Sequence, residues 1–156
     1  MVGVMIKEFD SLTDSETELM LKAPVLVCIL IAGADGTIDK KEIKEAIAQT
    51  QRKTKASLSD YLKEVSTDFE DKIKILIQSY PYESTQRNPI LIEELGQLNR
   101  IWKKLDKGFA NQVYKMLKEL AQKIASSSGG LWGLKTVAHE EAKFLQLPMI
   151  SDPSKN

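Results

Sequence analysis

The sequence contains one cysteine and one histidine in 156 residues. Cys28 has no partner for an internal disulfide and lies in an apolar run. It therefore reads as a buried structural thiol, not a nucleophile, in a reducing, cytoplasmic setting. His139, standing alone, excludes a metal centre built on two or three imidazoles. Aromatic residues make up 6% of the chain, which is little material for stacking bases. Lysine plus arginine equals aspartate plus glutamate, at 22 each, so no net field draws the protein to nucleic acid. The longest apolar run, Ala23 to Ala34, contains Pro24 and falls short of the roughly 20 residues that span a bilayer. It follows acidic residues and lacks a basic leader, so a signal peptide is not expected. No transmembrane segment is expected.

Catalytic apparatus is also missing. Gly129 to Thr136 is glycine-rich, but Lys135 does not directly follow Gly133 and a helical pattern, not a strand, precedes it, so it is no phosphate loop. Glu93-Glu94 and Glu140-Glu141 are adjacent pairs, and on a helix adjacent side chains diverge by about 100°. No nucleophile stands near a base. A non-enzymatic protein is expected.

What the chain does have is helical phrasing. Apolar residues are 42% and charged residues 28%, the balance of a globular protein, and the length suits one domain. Thr13-Asp14-Ser15-Glu16 forms a capping box ahead of Leu19, Met20, Ala23, Leu26, Val27, Leu30 and Ile31, with Pro24 expected to kink or split that helix. Ile43, Ala46 and Ile47 give a second helix one apolar face, from Asp39 to about Arg52, and its lysine-rich face reads as solvated. Further helices are expected with Leu58, Tyr61, Leu62 and Val65 inward, then after a Thr67-Asp68-Phe69-Glu70 capping box with Phe69, Ile73, Leu76, Ile77 and Tyr80. Asn88-Pro89 predicts a start for a helix running from Ile90 to Leu105. Phe109 to Ser128 supplies the next, and Val137 to Leu147 a short last one ending at Pro148. No strand-like alternation is long enough to matter. The expectation is an all-α, compact bundle of about seven helices in a single domain over 1–156, with its core at about 13–147 and a flexible tail over 148–156.

One turn concentrates charge. In Ala34-Asp35-Gly36-Thr37-Ile38-Asp39-Lys40-Lys41-Glu42, Gly36 permits a positive φ, Asp39 can cap the following helix, and Glu42 can close the box. The EF-hand loop places ligands at positions 1, 3, 5, 7, 9 and 12 with glycine at 6. With Gly36 in that place, Asp35, Thr37, Asp39 and Glu42 fit the second half. Ile31 and Gly33, however, fall where the first carboxylates belong. A standard EF-hand is therefore rejected. The residues suit either a weakly held, partly hydrated Ca²⁺ or Mg²⁺ on Asp35, Asp39 and Glu42, or a turn and helix cap with no ion.

Ile31-Ala32-Gly33-Ala34-Asp35-Gly36 has a loose echo in Ile124-Ala125-Ser126-Ser127-Ser128-Gly129. Each ends an apolar helix and precedes a glutamate-bearing one, which suggests two loosely repeated helix–turn–helix units. The run from Leu30 to Ile43 resembles the alanine-aspartate-glycine turn of the tellurite-resistance TerB-like proteins. The run from Ile124 to Leu134, followed by Glu140-Glu141, is similar to the glycine-rich second turn of some members. The likeness spans roughly Leu19 to Leu147, and its specific part is the two turns. It implies a compact helical bundle, acidic residues that take a divalent cation, and a place in a stress-response or membrane-associated system. Asp35, Asp39 and Glu42 carry over as the implied metal ligands, whereas the second turn has no aspartate to match.

Leu131, Trp132 and Leu134 sit among glycines. They read either as an apolar patch for a protein partner or a membrane surface, or as a loop folded back to seal the bundle. Arg52-Lys53-Lys55 reads as a solvated charge run.

Overall fold

The computed structural model describes residues 6–32, 48, 56–127 and 145–155. Among these residues the regular structure is entirely helical. After a 3-10 turn at Lys7–Phe9 come α1 (Asp14–Ala32), α2 (Ala56–Ser66), α3 (Phe69–Ser79), α4 (Ser84–Gly96) and α5 (Leu98–Ile101). A second 3-10 turn at Trp102–Lys104 leads into α6 (Lys107–Ser127), and a third covers Pro153–Lys155. The second helix expected from Asp39 (apart from the helical Ala48), the glycine-rich loop and most of the last helix lie outside the described residues.

The architecture is organised around α1, which contacts each of α2 to α6. Its N-terminus is the expected capping box: Glu16 N–H donates to Thr13 Oγ1 at 3.2 Å, and Thr13 N–H donates to Glu16 Oε1 at 2.9 Å. From Val25 to Ile31 every side chain is buried. A helix apolar on all sides has no face to offer water, so its neighbours must enclose it. That requirement sets the layout of the bundle.

Pro24 neither splits α1 nor ends it, because another group meets the need it creates. Proline has no N–H, so the carbonyl four residues earlier, that of Met20, loses its helical partner. The Tyr61 hydroxyl, from α2, donates to that carbonyl. Tyr61 is fully buried, and its ring packs edge-on against Phe9 and Phe109, with centroids 6.0 and 6.1 Å away. Phe9 and Phe109 meet each other at 6.2 Å, so three elements far apart in sequence join in one aromatic cluster. Burial pushes the Tyr61 pKa up, which keeps the hydroxyl protonated as a donor.

Elsewhere local signals give way to packing. Thr67 does not cap α3 forward: its hydroxyl donates back to Lys63 O at 3.0 Å, closing α2. Asp68 then turns the chain in the left-handed region, with φ 54°. Helix α4 starts at Ser84, ahead of Asn88-Pro89, so Pro89 lies inside it. The carbonyl deprived of a partner there belongs to exposed Thr85, where water can serve. The continuous helix expected to Leu105 instead breaks at Gly96-Gln97, although Leu91, Leu95, Leu98, Ile101, Trp102 and Leu105 are all buried as expected. Ile90 is the exception and is exposed. Asp106 accepts from Phe109 N–H at 3.0 Å to start α6. Phe109, Val113, Met116, Leu117, Leu120 and Ile124 form its buried face.

The end of the chain, expected to be a free tail from residue 148, is docked through residue 155. Leu147, Ile150 and Pro153 are buried, and Trp102 Nε1–H donates to Ser151 O at 3.0 Å.

Candidate functional site

In the sequence the acidic turn follows α1, whose second half is enclosed from Val25 to Ile31. Ile31 at the end of α1 is 5% exposed, and Asp35 follows Ala32 by three positions in the sequence. Asp35, Asp39 and Glu42 themselves lie outside the described residues, as do Leu131, Trp132, Leu134 and His139. The helices that lead into the two expected turns, α1 and α6, pack against each other.

Among the described residues, no group of three or more His, Cys, Asp or Glu side chains is placed to hold a metal ion. The polar groupings that do exist have other work. Glu94 on α4 bridges two elements: Oε1 accepts from the Tyr80 hydroxyl at 2.6 Å, and Oε2 meets Lys22 Nζ on α1 at 2.9 Å. Burial, and then the neighbouring Glu94 carboxylate, push the Tyr80 pKa up, so Tyr80 acts as a donor and not as a base. Glu93, its sequence neighbour, takes no part in this group, as the angular separation of adjacent helical residues requires. Glu16 at the start of α1 accepts from Lys104 Nζ at 2.8 Å, and this bond above all holds its pKa below the usual carboxylate value. Both ion pairs tie α1 to later parts of the chain, one at its first turn and the other near its middle.

Cys28 is fully buried, and desolvation pushes its thiol pKa up, so the reactive thiolate is suppressed. The expectation of a structural cysteine is met in its burial.

Neither Asn99 nor the Tyr80 hydroxyl was foreseen as an organising group. Asn99 alone carried a usable signal: a short amide between the apolar positions Leu98 and Ile101 is a poor helix former unless its side chain has a fixed partner. Its two partners are backbone groups of residues 149 and 151.

Compared with protein-family models, with curated proteins and with solved structures, the chain matches none. No described helix is long and apolar enough to cross a membrane.

Proposed function

We propose that the chain is a non-enzymatic, TerB-like helical module of the cytoplasm that holds a divalent cation, Ca²⁺ or Mg²⁺, at Asp35, Asp39 and Glu42. In this reading it serves as a protein-interaction component of a stress-response system of the tellurite-resistance kind. The observation that carries the reading is the oxygen-rich phrase Asp35-Gly36-Thr37-Ile38-Asp39-Lys40-Lys41-Glu42 placed directly after α1. A cation site needs carboxylates within one coordination sphere and a frame stiff enough to keep them there. An enclosed helix entering the turn supplies such a frame on one side. Because the loop lacks the first two EF-hand carboxylates, the remaining ligands are water or groups from elsewhere in the bundle.

An amide NMR titration of the metal-free protein with Ca²⁺, Mg²⁺, Mn²⁺ and Zn²⁺, repeated on Asp35→Asn, tests this. Saturable shifts centred on Gly36 to Glu42 that vanish in the variant are the expected result. A flat response up to about 10⁻³ M, the weak end of oxygen-ligand sites, refutes the ion site. The turn is then a helix cap, and the module becomes a metal-free adaptor that meets a protein or a membrane surface through Leu131, Trp132 and Leu134.

A further inference from the structure

The docked C-terminal segment is held the way a bound peptide is held. Asn99 grips its main chain with both ends of one side-chain amide. Nδ2 donates to Met149 O at 3.1 Å, and Oδ1 accepts from Ser151 N–H at 2.7 Å. These two backbone groups flank Ile150 and are the pair a neighbouring parallel strand would engage. Trp102 adds a third main-chain bond through its indole to Ser151 O at 3.0 Å.

None of these three bonds depends on the side chains of the segment. Selectivity comes from its three buried residues, spaced at every third position: Leu147, Ile150 and Pro153. The segment enters beside Gln122, whose Nε2 donates to Leu145 O at 3.5 Å, and its last turn, Pro153–Lys155, packs on α6. One wall of the groove is therefore α6, and the other is the stretch from Gly96 to Trp102. Leu147 sits in the left-handed region at φ 47°, a strained backbone for a leucine, and Ile150 N–H donates to Leu147 O at 3.0 Å across the resulting turn. A segment recognised by backbone clamps and three apolar anchors, and entered through a strained turn, has the design of a ligand tethered to its own receptor.

We propose that the groove between α6 and the Gly96–Trp102 stretch is a peptide site that the chain fills in cis with Leu147–Pro153, and that it accepts the same segment in trans from a second copy. This rests on the docked segment alone and is independent of the cation reading.

The tether keeps the cis segment at an effective concentration of about 10⁻³ M, so a trans segment competes poorly with the intact chain. Weakening the cis segment unmasks the site. Ser151→Pro removes the N–H that Asn99 accepts while leaving the groove unchanged, and Pro153→Ser is a second, milder release. The probe is a synthetic peptide of residues 145–155, titrated into the ¹⁵N-labelled full chain carrying either substitution, with Trp132→Phe to single out the Trp102 indole signal. The peptide is expected to bind at least about tenfold more tightly than to the chain with its native segment. It should shift the Asn99 side-chain and Trp102 indole resonances, and it should lose that binding when Asn99→Ala is added. Circular dichroism confirms that each variant is folded. A folded Ser151→Pro or Pro153→Ser chain that shows no saturable shift up to several times 10⁻³ M overturns the proposal, as does binding that leaves the Trp102 indole unmoved or survives Asn99→Ala.

Discussion

Removing the Tyr61 hydroxyl asks whether it stands in for the amide that Pro24 lacks. In Tyr61→Phe the ring stays within the cluster of Phe9 and Phe109, so little packing is lost. The Met20 carbonyl, however, keeps neither the proline nor the hydroxyl as a donor in a region where Met20 and Tyr61 are both fully buried. Leaving a buried acceptor unsatisfied costs about 1–3 kcal/mol. For a chain of this length about 1 kcal/mol corresponds to roughly 3 °C in Tm, so Tyr61→Phe is expected to melt roughly 3–9 °C lower. The decisive variant is Pro24→Ala. It restores an N–H four residues after Met20, and the carbonyl can accept from that N–H as well as from the hydroxyl. In the Pro24→Ala background, Tyr61→Phe should then cost at least about 1 kcal/mol less than in the native chain. Urea unfolding of the four proteins of this cycle measures the coupling directly. Equal costs of Tyr61→Phe in the two backgrounds, or no cost in the native one, would refute the substitution of hydroxyl for amide.

Other consequences are open to simple tests. Phe109→Ala opens the aromatic cluster and should destabilise by about 3–5 kcal/mol in urea unfolding. Thr13→Ala breaks the capping box and should cost about 1 kcal/mol by the same measurement. The folded-state pKa of Glu16 is lowered chiefly by its hydrogen bond to Lys104, and that of Asp152 by Ser154. The stability that each contributes is therefore complete above its unfolded value, 4.5 for Glu16 and 3.8 for Asp152, and is lost as pH falls through the lowered folded value. Carbon-detected NMR titration should show the Glu16 midpoint rising in Lys104→Met. Cys28 should resist thiol reagents in the native protein and react at a rate that follows unfolding, read by absorbance as urea is raised.

The parts of the fold legible in the sequence are those set by neighbours along the chain or by strong periodicity. Thr13 and Glu16 cap α1 because both partners lie within one turn, and the inward face of α6 follows from apolar residues at helical spacing. What could not be read was decided across the chain. Pro24 looked like a break because its remedy, Tyr61, lies 37 positions later. Thr67 carried a forward capping pattern, yet the carbonyl of Lys63 one turn back was within reach, and the hydroxyl joined the Thr67 N–H and the Ser66 hydroxyl in closing the helix behind it. The last residues looked like a tail because Pro148, Ser151, Asp152 and Pro153 have the composition of a linker. Their order comes from Asn99 and Trp102, about 50 positions upstream. At the candidate cation site, the sequence identified a carboxylate phrase and the structure supplies the buried helix that leads to it.

The enclosure of the second half of α1, from Val25 to Ile31, also determines what escapes when the protein opens. Val25, Val27, Ile29 and Ile31 are all β-branched and alternate with Leu26, Cys28 and Leu30, so Val25 to Ile31 is an uncharged segment that fits an extended strand as readily as a helix. Released from its neighbours, it has the length and chemistry of a cross-β core, and only Pro24 and Lys22 guard its leading edge. Each contact that keeps α1 wrapped therefore also withholds this strand-compatible segment from solution. Variants that loosen the bundle, Tyr61→Phe among them, should form thioflavin-positive fibrils at denaturant concentrations where the native chain remains clear.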